Sequence, residues 1–535
     1  MIRGTSALIL PALTDTYKMS HPLQYPDGAR EMSAYAECRS AFEKDPEDSR
    51  IVFYGIRYVV ENYIAVPWTV EDVEKIEQFL NTQNIFETPI PFPKDLFLKF
   101  IKENNGYIPI RIEALPEGTV VSPHVPLYQI TAKAEYARIV TFLETMLTHI
   151  WYPTTVATLS RRCKEVIRKA FEKSVDESAY FLLETRLHDF GFRGCTSMEQ
   201  SVIGGVAHLL NFIGSDTMAG CYYAQMHLNK GKPVSCAIPA TEHSVMTSWN
   251  NEESAVRKMI NDFGGANRMF SVVLDSYDYS KALNDLLPRV AEEHKAKGGI
   301  MVLRPDSGNP VDTVLEALRA AEKTFGSVVN SKGFKVLKDV AVIQGDGMSY
   351  QAIVDVCNAV IEAGYSVQNV CFGMGAGLLQ KINRDTMSFA TKLNYISFED
   401  GTHRDVMKRP KTDGGKTSLP GQLKVIRGAD GLIKVVPKYA SDADEELAAK
   451  LAAGIESKTD DGKSVPQETE GENLFRVVYD CGPVANAFPE TFDELRARIE
   501  SEWPKMPLHH DPVSDRLKAK IARIAAEMKA QAEKQ

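Results

Sequence analysis

Gly299-Ile-Met-Val-Leu-Arg-Pro-Asp-Ser-Gly-Asn-Pro310 contains an apolar run, a polar turn and the beginning of a helix in immediate succession. The apolar run is too uniformly hydrophobic for a strand with one solvent-exposed face. It is typical of a parallel strand that is covered on both sides. Asn309 followed by Pro310 offers a helix N-cap and a proline at the first helical position. The stretch therefore predicts a strand, a loop and a helix, with Arg304 and Asp306 at the carboxyl end of the strand.

The same succession recurs between about residues 180 and 390, where apolar runs end in polar or glycine-rich turns before amphipathic helices. Repeated strand–loop–helix units predict an α/β barrel or a doubly wound sheet. Candidate chemistry at every turn favours the barrel, because a doubly wound sheet gathers its chemistry at one or two switch points. The seven turns are His188–Arg193, Gly214–Asp216, Ala240–His243, Asp275–Asp278, Arg304–Gly308, Gly345–Gly347 and Gly373–Gly377.

The rest of the chain differs from this block, which we bound at residues 151–390. Residues 1–150 mix short strand-like runs with helical stretches. Within residues 391–510, the acidic segment 441–472 is poor in aromatic residues, so we expect a mobile insertion with one helix near 445–451. Residues 511–535 are rich in Ala, Lys, Glu and Arg and predict a helical tail at the surface.

Composition excludes several classes of function. The chain has 535 residues and a formal net charge of −9. We therefore expect no bulk electrostatic binding, either to nucleic acid or to an anionic membrane. An apolar share of 44% is normal for a globular protein, and no apolar run approaches the roughly 18 residues of a membrane span. The eight cysteines include no CxxC pair, which predicts reduced thiols and a cytoplasmic location.

Basic residues near the glycine-containing turns indicate an anionic substrate. Arg193, Arg304 and Arg384 each lie in or near such a turn, and a guanidinium matches the oxygens of a phosphate. The loop Gly373-Met-Gly-Ala-Gly377 stands between a strand and a helix start, as a phosphate cradle does. Taken alone it is equally compatible with a plain tight turn, since it matches no complete nucleotide-binding fingerprint.

The other polar residues at the turns can each be explained by a purely structural role. Asp306 and Asp346 could accept ribose hydroxyls or reach Mg²⁺ through water, or each could only cap the next helix. Asp216 could likewise be only an N-cap. A lone histidine such as His243 is more often structural than catalytic. Only the convergence of these residues on one face of a barrel favours the functional interpretation.

A set of short motifs, in one order along about residues 8–430, resembles the nicotinamide phosphoribosyltransferases. The Arg-Pro-Asp-Ser-Gly-Asn-Pro and His-Asp-Phe-Gly strings are the most specific of them. The motifs are Thr14-Asp-Thr-Tyr-Lys18, Glu37-Cys-Arg39, Val52-Phe-Tyr-Gly55, Trp151-Tyr-Pro153, Leu187-His-Asp-Phe-Gly-Phe-Arg-Gly194, Glu242-His-Ser244, Arg304–Pro310, Gln344-Gly-Asp-Gly347 and Gly377-Leu-Leu-Gln-Lys381.

The resemblance implies the fold of a type II phosphoribosyltransferase. That fold is an irregular α/β barrel with a second, β-rich α+β domain built from both chain ends, and it works as a homodimer with shared active sites. It also implies an enzyme of NAD salvage that joins nicotinamide to phosphoribosyl pyrophosphate, with Mg²⁺ as cofactor and ATP hydrolysis coupled through a phosphorylated histidine. The type I signature, an apolar strand with two acids and a Thr-Thr-Gly loop, is absent.

The same resemblance assigns roles to individual residues. Phe190 and Tyr17 of the partner subunit would sandwich the nicotinamide ring, beside Asp216. His243 would be the phosphorylated histidine, and Asp275 would orient it. Arg193 and Arg304 would bind phosphates, and Arg39 and Arg384 would bind the pyrophosphate. Asp306, Gly345 and Asp346 would bind the ribose, with a further substrate contact at Pro305. Gly375 and Ala376 would bind the 5′-phosphate of the product.

The sequence departs from the family pattern at a few positions. Ala376 stands where the family usually has glycine, which is compatible only if that position needs no positive φ. Phe192 replaces a tyrosine. Ala390 stands where the family carries a phosphate-side lysine, and Lys392, Lys408 and Arg409 are the candidates to compensate.

Two alternatives to the proposed enzyme remain open. One is a nicotinate phosphoribosyltransferase, and the other is a catalytically retired dimer that binds a metabolite. A retired enzyme would be expected to lose His243 or a ribose carboxylate first, and both are present.

Overall fold

The computed structural model describes residues 8–83, 88–410 and 414–534. The chain divides into two compact units. One comprises Met1–Thr155, Arg384–Glu490 and Ala497–Gln535, and it is called the β-rich unit below. The other comprises Val156–Asn383 and Thr491–Arg496, and it is called the barrel unit.

The barrel unit is built on a six-stranded sheet in which every neighbouring pair is parallel. The strands are β1 (Leu187–Asp189), β2 (Gly214–Ser215), β3 (Met269–Val273), β4 (Ile300–Arg304), β5 (Val340–Gln344) and β6 (Val370–Met374). Their spatial order is β2-β1-β6-β5-β4-β3. Five longer helices follow or connect them: α1 (Met198–Leu209), α2 (Glu252–Phe263), α3 (Leu287–Lys297), α4 (Pro310–Phe325) and α5 (Tyr350–Glu362).

An irregular seventh segment closes this sheet into a barrel. Cys236 forms a parallel bridge with Gly214 of β2, and Ala240 forms one with Ser271 of β3. The Cys236 N–H donates to the Ile213 carbonyl at 2.7 Å, and the Thr241 N–H donates to the Ser271 carbonyl at 3.1 Å. Both edges of the sheet are therefore paired, and the predicted irregular α/β barrel is confirmed.

The apolar strand residues explain why the sheet is parallel and covered on both sides. Val272, Leu303, Val342 and Phe372 are fully buried on four different strands. Helix α4 begins as the sequence predicts, because the Asn309 side chain accepts hydrogen bonds from the N–H groups of Val311 and Asp312. Polar side chains are left for the loops at the carboxyl ends of the strands.

The β-rich unit contains a six-stranded antiparallel sheet built from both chain ends. In spatial order its strands are His403–Asp405, Phe389–Phe398, Ala29–Cys38, Tyr128–Lys133, Ile110–Ala114 and Arg476–Asp480. Two small sheets pair Leu423–Arg427 with Ile433–Pro437 and Ile51–Val52 with Val120–Val121. Its longer helices are Val70–Thr82, Lys94–Glu103, Asp442–Ala452 and Asp515–Lys534.

The two segments expected to be accessory are anchored within the β-rich unit. The insertion contains the helix Asp442–Ala452, whose Glu445 is buried. The tail helix Asp515–Lys534 buries Lys520, whose Nζ lies 2.7 Å from Glu445 and 2.9 Å from Asp405. The tail is thus joined to both the insertion and the main sheet by ion pairs.

Two helices cross the boundary between the units, namely Trp151–Ser174 and Phe492–Glu502. In the described part of the chain, no helix has both the length and the apolar character needed to cross a bilayer.

Candidate active site

A cavity of about 1040 Å³ opens at the carboxyl ends of the barrel strands. Its walls come from four of the predicted turns, and they combine an aromatic platform, two arginines, three carboxylates and a histidine. The lining residues are Phe190, Phe192, Arg193, Asp216, Thr217, Ile238, Ala240, Thr241, Glu242, His243, Ser244, Arg304 and Asp306. Six of the predicted site residues of the barrel unit therefore line one cavity: Phe190, Arg193, Asp216, His243, Arg304 and Asp306.

Phe190 lies on a platform of glycine backbone. Its N–H donates to the Met374 carbonyl at 3.0 Å, which continues the pairing of β1 with β6 beyond the strands. A Cβ on Gly373 would come within 2.0 Å of the Phe190 ring, and one on Gly345 within 3.0 Å. These two glycines leave the space that the ring occupies, which explains the glycine within β6 and the glycine directly after β5.

Asp189 holds the backbone turn that follows Phe190, and sequence reasoning missed it. The side chain is buried, and its Oδ1 accepts from the Gly191 N–H at 2.7 Å. Its backbone carbonyl accepts from the Asp216 N–H at 3.0 Å. Burial raises the pKa of Asp189 to about 6. Its position as the last residue of β1, directly before Phe190, is the sequence signal that could have identified it.

Asp216 faces the cavity and does not cap a helix. The helix after it spans Met218–Tyr223, its N-cap is Thr217, and no side chain makes a capping hydrogen bond there. Burial raises the pKa of Asp216, while the charge of Arg304 acts in the opposite direction. The capping alternative for Asp216 is therefore wrong.

His243 is held by one ring nitrogen and presents the other to the cavity. Its Nε2 lies 2.8 Å from Oδ1 of Asp275, and its Nδ1 lies 3.8 Å from Oδ2 of Asp306. Asp275 is 6% exposed at its side chain, whereas His243 is 45% exposed. A carboxylate that holds one nitrogen fixes the tautomer and the ring plane, so Nδ1 is the nitrogen left for chemistry.

A further contact at Asp275 was not predicted. The Ser307 hydroxyl donates to Oδ2 of Asp275 at 2.6 Å. Both oxygens of this carboxylate are thus engaged, one by His243 and one by Ser307. Serine in a turn carries no sequence signal for such a contact, because its acceptor lies on another strand end.

Arg304 and Asp306 form a loosely paired group on the β4 loop. Arg304 Nη2 lies 3.6 Å from Oδ2 of Asp306, and the intervening Pro305 is buried. Asp306 does not cap α4, since Asn309 does so. Asp346 does not cap α5 either, because the Ser349 side chain accepts the N–H of Ala352 there. The capping alternative is wrong for both aspartates.

The glycine loop after β6 accommodates its alanine. Gly375 precedes the short helix Ala376–Leu379, and Ala376 is not among the described residues with positive φ. A Cβ at position 376 is therefore tolerated, and the backbone N–H that the family loop offers is retained. Gly345 and Asp346 follow β5 in the same arrangement.

Three predicted residues belong to the β-rich unit. Tyr17 is 61% exposed, and its ring meets the edge of His21. Arg39 donates from Nε to Glu37 at 3.0 Å, and Arg384 is exposed beside Asp385. None of these residues contributes to the cavity lining of the barrel unit.

Lys392 is one of the three candidates to replace the lysine that the family carries at the position of Ala390. It lies two residues further along the strand Phe389–Phe398, so the two positions share a face. Burial lowers the pKa of Lys392; the charge of Glu144 raises it, whereas those of Arg39 and Lys408 lower it.

Comparisons with known proteins identify the family. Residues 185–452 match the model of the nicotinate phosphoribosyltransferase family, and residues 9–112 match that of the nicotinamide phosphoribosyltransferase N-terminal domain. A nicotinamide phosphoribosyltransferase of Xanthomonas campestris is 38% identical over 445 residues, covering 81% of this chain and 92% of the relative. The chain belongs to the nicotinate phosphoribosyltransferase family.

More distant relatives and solved structures cover nearly the whole chain. A nicotinamide phosphoribosyltransferase of Acinetobacter baylyi is 27% identical, covering 91% of this chain and 96% of the relative. The human nicotinic acid phosphoribosyltransferase superposes with a TM-score of 0.56 at 18% identity, covering 95% of this chain and 99% of the other. A nicotinate-nucleotide pyrophosphorylase of Pyrococcus furiosus gives the same TM-score at 16% identity, covering 93% of this chain and 96% of the other. These two structures show the fold alone.

The predicted family is confirmed, and with it the expected enzyme class, a phosphoribosyltransferase of pyridine-nucleotide synthesis. The roles given to single residues of this family member stay predictions, now with a geometry in which they can be tested.

Proposed function

We propose that the chain joins nicotinamide to the ribose of phosphoribosyl pyrophosphate and releases nicotinamide mononucleotide and pyrophosphate. The observation that carries this proposal is the shared cavity of Phe190, Asp216 and the Arg304–Asp306 pair. An aromatic ring and a carboxylate suit a neutral heteroaromatic amide, while the arginine suits a phosphorylated sugar. Relatives that bear the name nicotinamide phosphoribosyltransferase support the same choice.

The chemistry needs positioning more than a strong base. The ring nitrogen of nicotinamide is already a nucleophile, and it attacks C1 of the ribose as pyrophosphate leaves. Charge develops on the ribose ring as in glycoside cleavage. Stacking on Phe190 orients the ring, and each aromatic contact contributes roughly 0.5–1.5 kcal/mol beyond burial. Held in line, the two reactants avoid the entropic cost of a bimolecular encounter.

Different residues at the strand ends bind different parts of the sugar phosphate. Arg193 and Arg304 hold phosphate oxygens, and Asp306, Gly345 and Asp346 hold the ribose hydroxyls. The N–H groups of Gly375 and Ala376 receive the 5′-phosphate of the product. Each of these residues lies at or after the carboxyl end of a barrel strand, which is where barrel enzymes hold their substrates.

The donor set also fits Mg²⁺, which accepts carboxylate oxygens and substrate phosphates. Asp306 faces the cavity, and Asp346 follows the neighbouring strand end. These two side chains would hold the cation, directly or through water. Once bound, Mg²⁺ would neutralise charge on the departing pyrophosphate.

ATP coupling rests on His243. Its Nε2 proton stays in the hydrogen bond to Asp275 while the Nδ1 lone pair attacks the terminal phosphorus of ATP. The bond from that phosphorus to the bridging oxygen breaks, and ADP leaves. The distances of 2.8 Å to Asp275 and 3.8 Å from Nδ1 to Asp306 support this assignment of the two nitrogens.

The working form is a homodimer with shared sites. Tyr17 is exposed on the β-rich unit, where it is available to cover the ring on Phe190 of a partner subunit. Arg39, Arg384 and Lys392 would supply the pyrophosphate side in the same way. Met218, Tyr222 and Met226 are exposed at four-residue spacing on the helical segment after Asp216, as an interface helix would present them.

The location is cytoplasmic. All eight cysteines are free of disulfides, and three of them are fully buried as thiols. Such thiols suit a reducing compartment.

A product assay tests the proposal. The purified chain is given phosphoribosyl pyrophosphate and Mg²⁺ with nicotinamide or nicotinate, each with and without ATP. We expect nicotinamide mononucleotide, formed faster with ATP. Nicotinate mononucleotide as the main product would instead favour the nicotinate enzyme, and binding without either product would favour the retired dimer.

A further inference from the structure

Asp275 is bound at both carboxylate oxygens by side chains from two different loops. Oδ1 lies 2.8 Å from Nε2 of His243, and Oδ2 accepts the Ser307 hydroxyl at 2.6 Å. Ser307 follows Asp306 in the β4 loop, whereas His243 follows the barrel-closing segment. The carboxylate therefore bridges the sugar-phosphate loop and the histidine.

We propose that Ser307 is a positioning residue through which the loop Arg304–Gly308 controls the reactivity of His243 toward ATP. The inference rests on the proposed function, in which this loop holds the phosphoribosyl substrate. It gives that enzyme a physical connection between the occupancy of the sugar site and the phosphorylation of the histidine.

The orientation of His243 depends on Asp275. The ring is 45% exposed, so packing alone constrains it weakly. A carboxylate bound at one oxygen can still turn about its last torsion, which is a broad one. The Ser307 hydroxyl at the second oxygen removes that freedom and keeps Oδ1 aimed at Nε2.

The loop reaches both nitrogens of His243. It contacts Nε2 through Ser307 and Asp275, and it approaches Nδ1 through Asp306 at 3.8 Å. Arg304 in turn lies 3.6 Å from Asp306. A phosphate or ribose bound by Arg304 and Asp306 would therefore act on the same segment that carries Ser307.

The hydrogen bond from Ser307 to Asp275 depends on the conformation of the loop Arg304–Gly308. Ser307 is exposed, so no packing holds its side chain in place. Gly308 next to it has φ +87°, a conformation that favours glycine. Only a loop that keeps this turn directs the hydroxyl at Asp275, and bound substrate favours one loop conformation over others.

Linkage then predicts a measurable coupling. If bound phosphoribosyl pyrophosphate promotes phosphorylation of His243, removing the connecting hydroxyl must reduce that promotion. A hydrogen bond to a charged acceptor corresponds to roughly a 10-fold effect or more. We expect Ser307→Ala to lose roughly 10-fold of the stimulation of histidine phosphorylation by phosphoribosyl pyrophosphate.

The experiment compares four full-length proteins: wild type, Ser307→Ala, Ser307→Thr and Ser280→Ala. Threonine at 307 keeps the hydroxyl. Ser280 is a matched control, because it is an exposed serine of the same unit that donates to a carboxylate, Glu316, away from the cavity lining. Acid-labile label transferred from γ-labelled ATP to the protein is measured with and without phosphoribosyl pyrophosphate, together with the KM for nicotinamide.

We expect Ser307→Ala to lose the stimulation with little change in the KM for nicotinamide, and the threonine variant and the control to behave like wild type. Full stimulation in Ser307→Ala would overturn the inference. So would an equal loss in Ser307→Thr, since the hydroxyl would then not be the cause. Wild type that makes nicotinamide mononucleotide but shows no stimulation also overturns it, whereas wild type that makes none refutes the proposed function itself.

Discussion

We expect Asp216 to decide between nicotinamide and nicotinate. An ionised carboxylate only accepts hydrogen bonds. Nicotinamide offers it an N–H donor, whereas nicotinate offers a second negative charge and no donor. The wrong substrate therefore suffers both like-charge repulsion and an unpaired acceptor. Because Thr217 occupies the N-cap position, the structure separates this role from a structural one.

We predict that Asp216→Asn keeps the fold, loses activity on nicotinamide and narrows the preference over nicotinate. An unpaired buried polar group costs about 1–3 kcal/mol, and a site built around such a bond discriminates by roughly 10⁴-fold. The kcat/KM values for both substrates measure the effect, and a melting curve serves as the control for folding. An unchanged ratio of the two values would show that selectivity arises elsewhere.

Asp189 is predicted to make stability depend on pH in an unusual direction. Its pKa is raised from 3.8 to about 6 by burial, so the native state binds the proton more tightly than the unfolded state. The stability that this proton contributes is complete below about pH 4 and is lost as pH rises through 6. A shift of this size corresponds to about 3 kcal/mol.

Asp189→Asn keeps an acceptor for the Gly191 N–H but cannot titrate. The free energy of unfolding, measured with denaturant at pH 4, 5, 6 and 7, should therefore depend on pH with different slopes in wild type and variant. Equal slopes would show that Asp189 does not titrate in this range.

A buried histidine, His208, connects helix α1 to two barrel strands. Its effect on the pH dependence of stability is opposite to that of Asp189. His208 Nε2 lies 3.0 Å from the Gly214 carbonyl and 3.2 Å from that of Leu187, and its Nδ1 lies 3.0 Å from the Ser160 hydroxyl. A neutral ring that donates at Nε2 and accepts at Nδ1 satisfies these contacts. Burial lowers the pKa of His208 to about 4.

We predict that His208 contributes to acid unfolding. Its folded-state pKa is depressed, so the stability is present above pH 6.5 and is lost as pH falls toward 4. The contribution is about 3 kcal/mol. His208→Gln, which cannot titrate, should lower stability at pH 7 yet flatten the loss between pH 6.5 and 4. An equally steep acid loss in that variant would assign the effect to other groups.

The tail helix Asp515–Lys534 depends on one buried cation. Lys520 lies between Asp405 of the main sheet and Glu445 of the insertion helix, and burial raises the pKa of Glu445 to about 7. A Cβ on Gly421 would come within 2.7 Å of both Lys520 Nζ and Asp405 Oδ1, so glycine leaves room for the cluster.

Lys520→Met should destabilise the β-rich unit by roughly 3–5 kcal/mol, because it leaves two buried carboxylates without a cation. Lys529→Met is the matched control from the same helix, since Lys529 is exposed and its pair with Glu533 contributes little. Limited proteolysis of the tail reports the difference. Equal protection in both variants would mean that apolar packing alone holds the tail helix.

The assembled enzyme should have sites made from two subunits. Tyr17→Ala and Arg193→Ala are each predicted to be inactive, because one removes a clamp residue and the other a phosphate ligand. In a mixture that exchanges subunits, each hybrid dimer has one site with neither lesion. Random two-fold pairing therefore predicts recovery of roughly a quarter of wild-type activity. Demonstrated exchange without recovery would exclude a shared site.

Much of the fold and the site follows from local patterns in the sequence. The Asn309-Pro310 cap, the apolar strands and the seven turns each involve residues close together in the chain, and all appear in the barrel unit. Phe190, His243 and Asp306 were found because motifs surround them. Helix ends agree less well: the insertion helix spans Asp442–Ala452 rather than 445–451.

The sequence by itself determined the family, the succession of strands and helices and the side chains at the strand ends. Only the tertiary structure decided that Cys236–Ala240 closes the barrel and that Ser307, Asp275 and His243 form one chain of contacts. The physical reason is distance along the chain. Caps and periodicity involve residues close together in sequence, whereas these contacts join residues roughly 20 to 30 positions apart, whose approach is set by the curvature of the closed sheet.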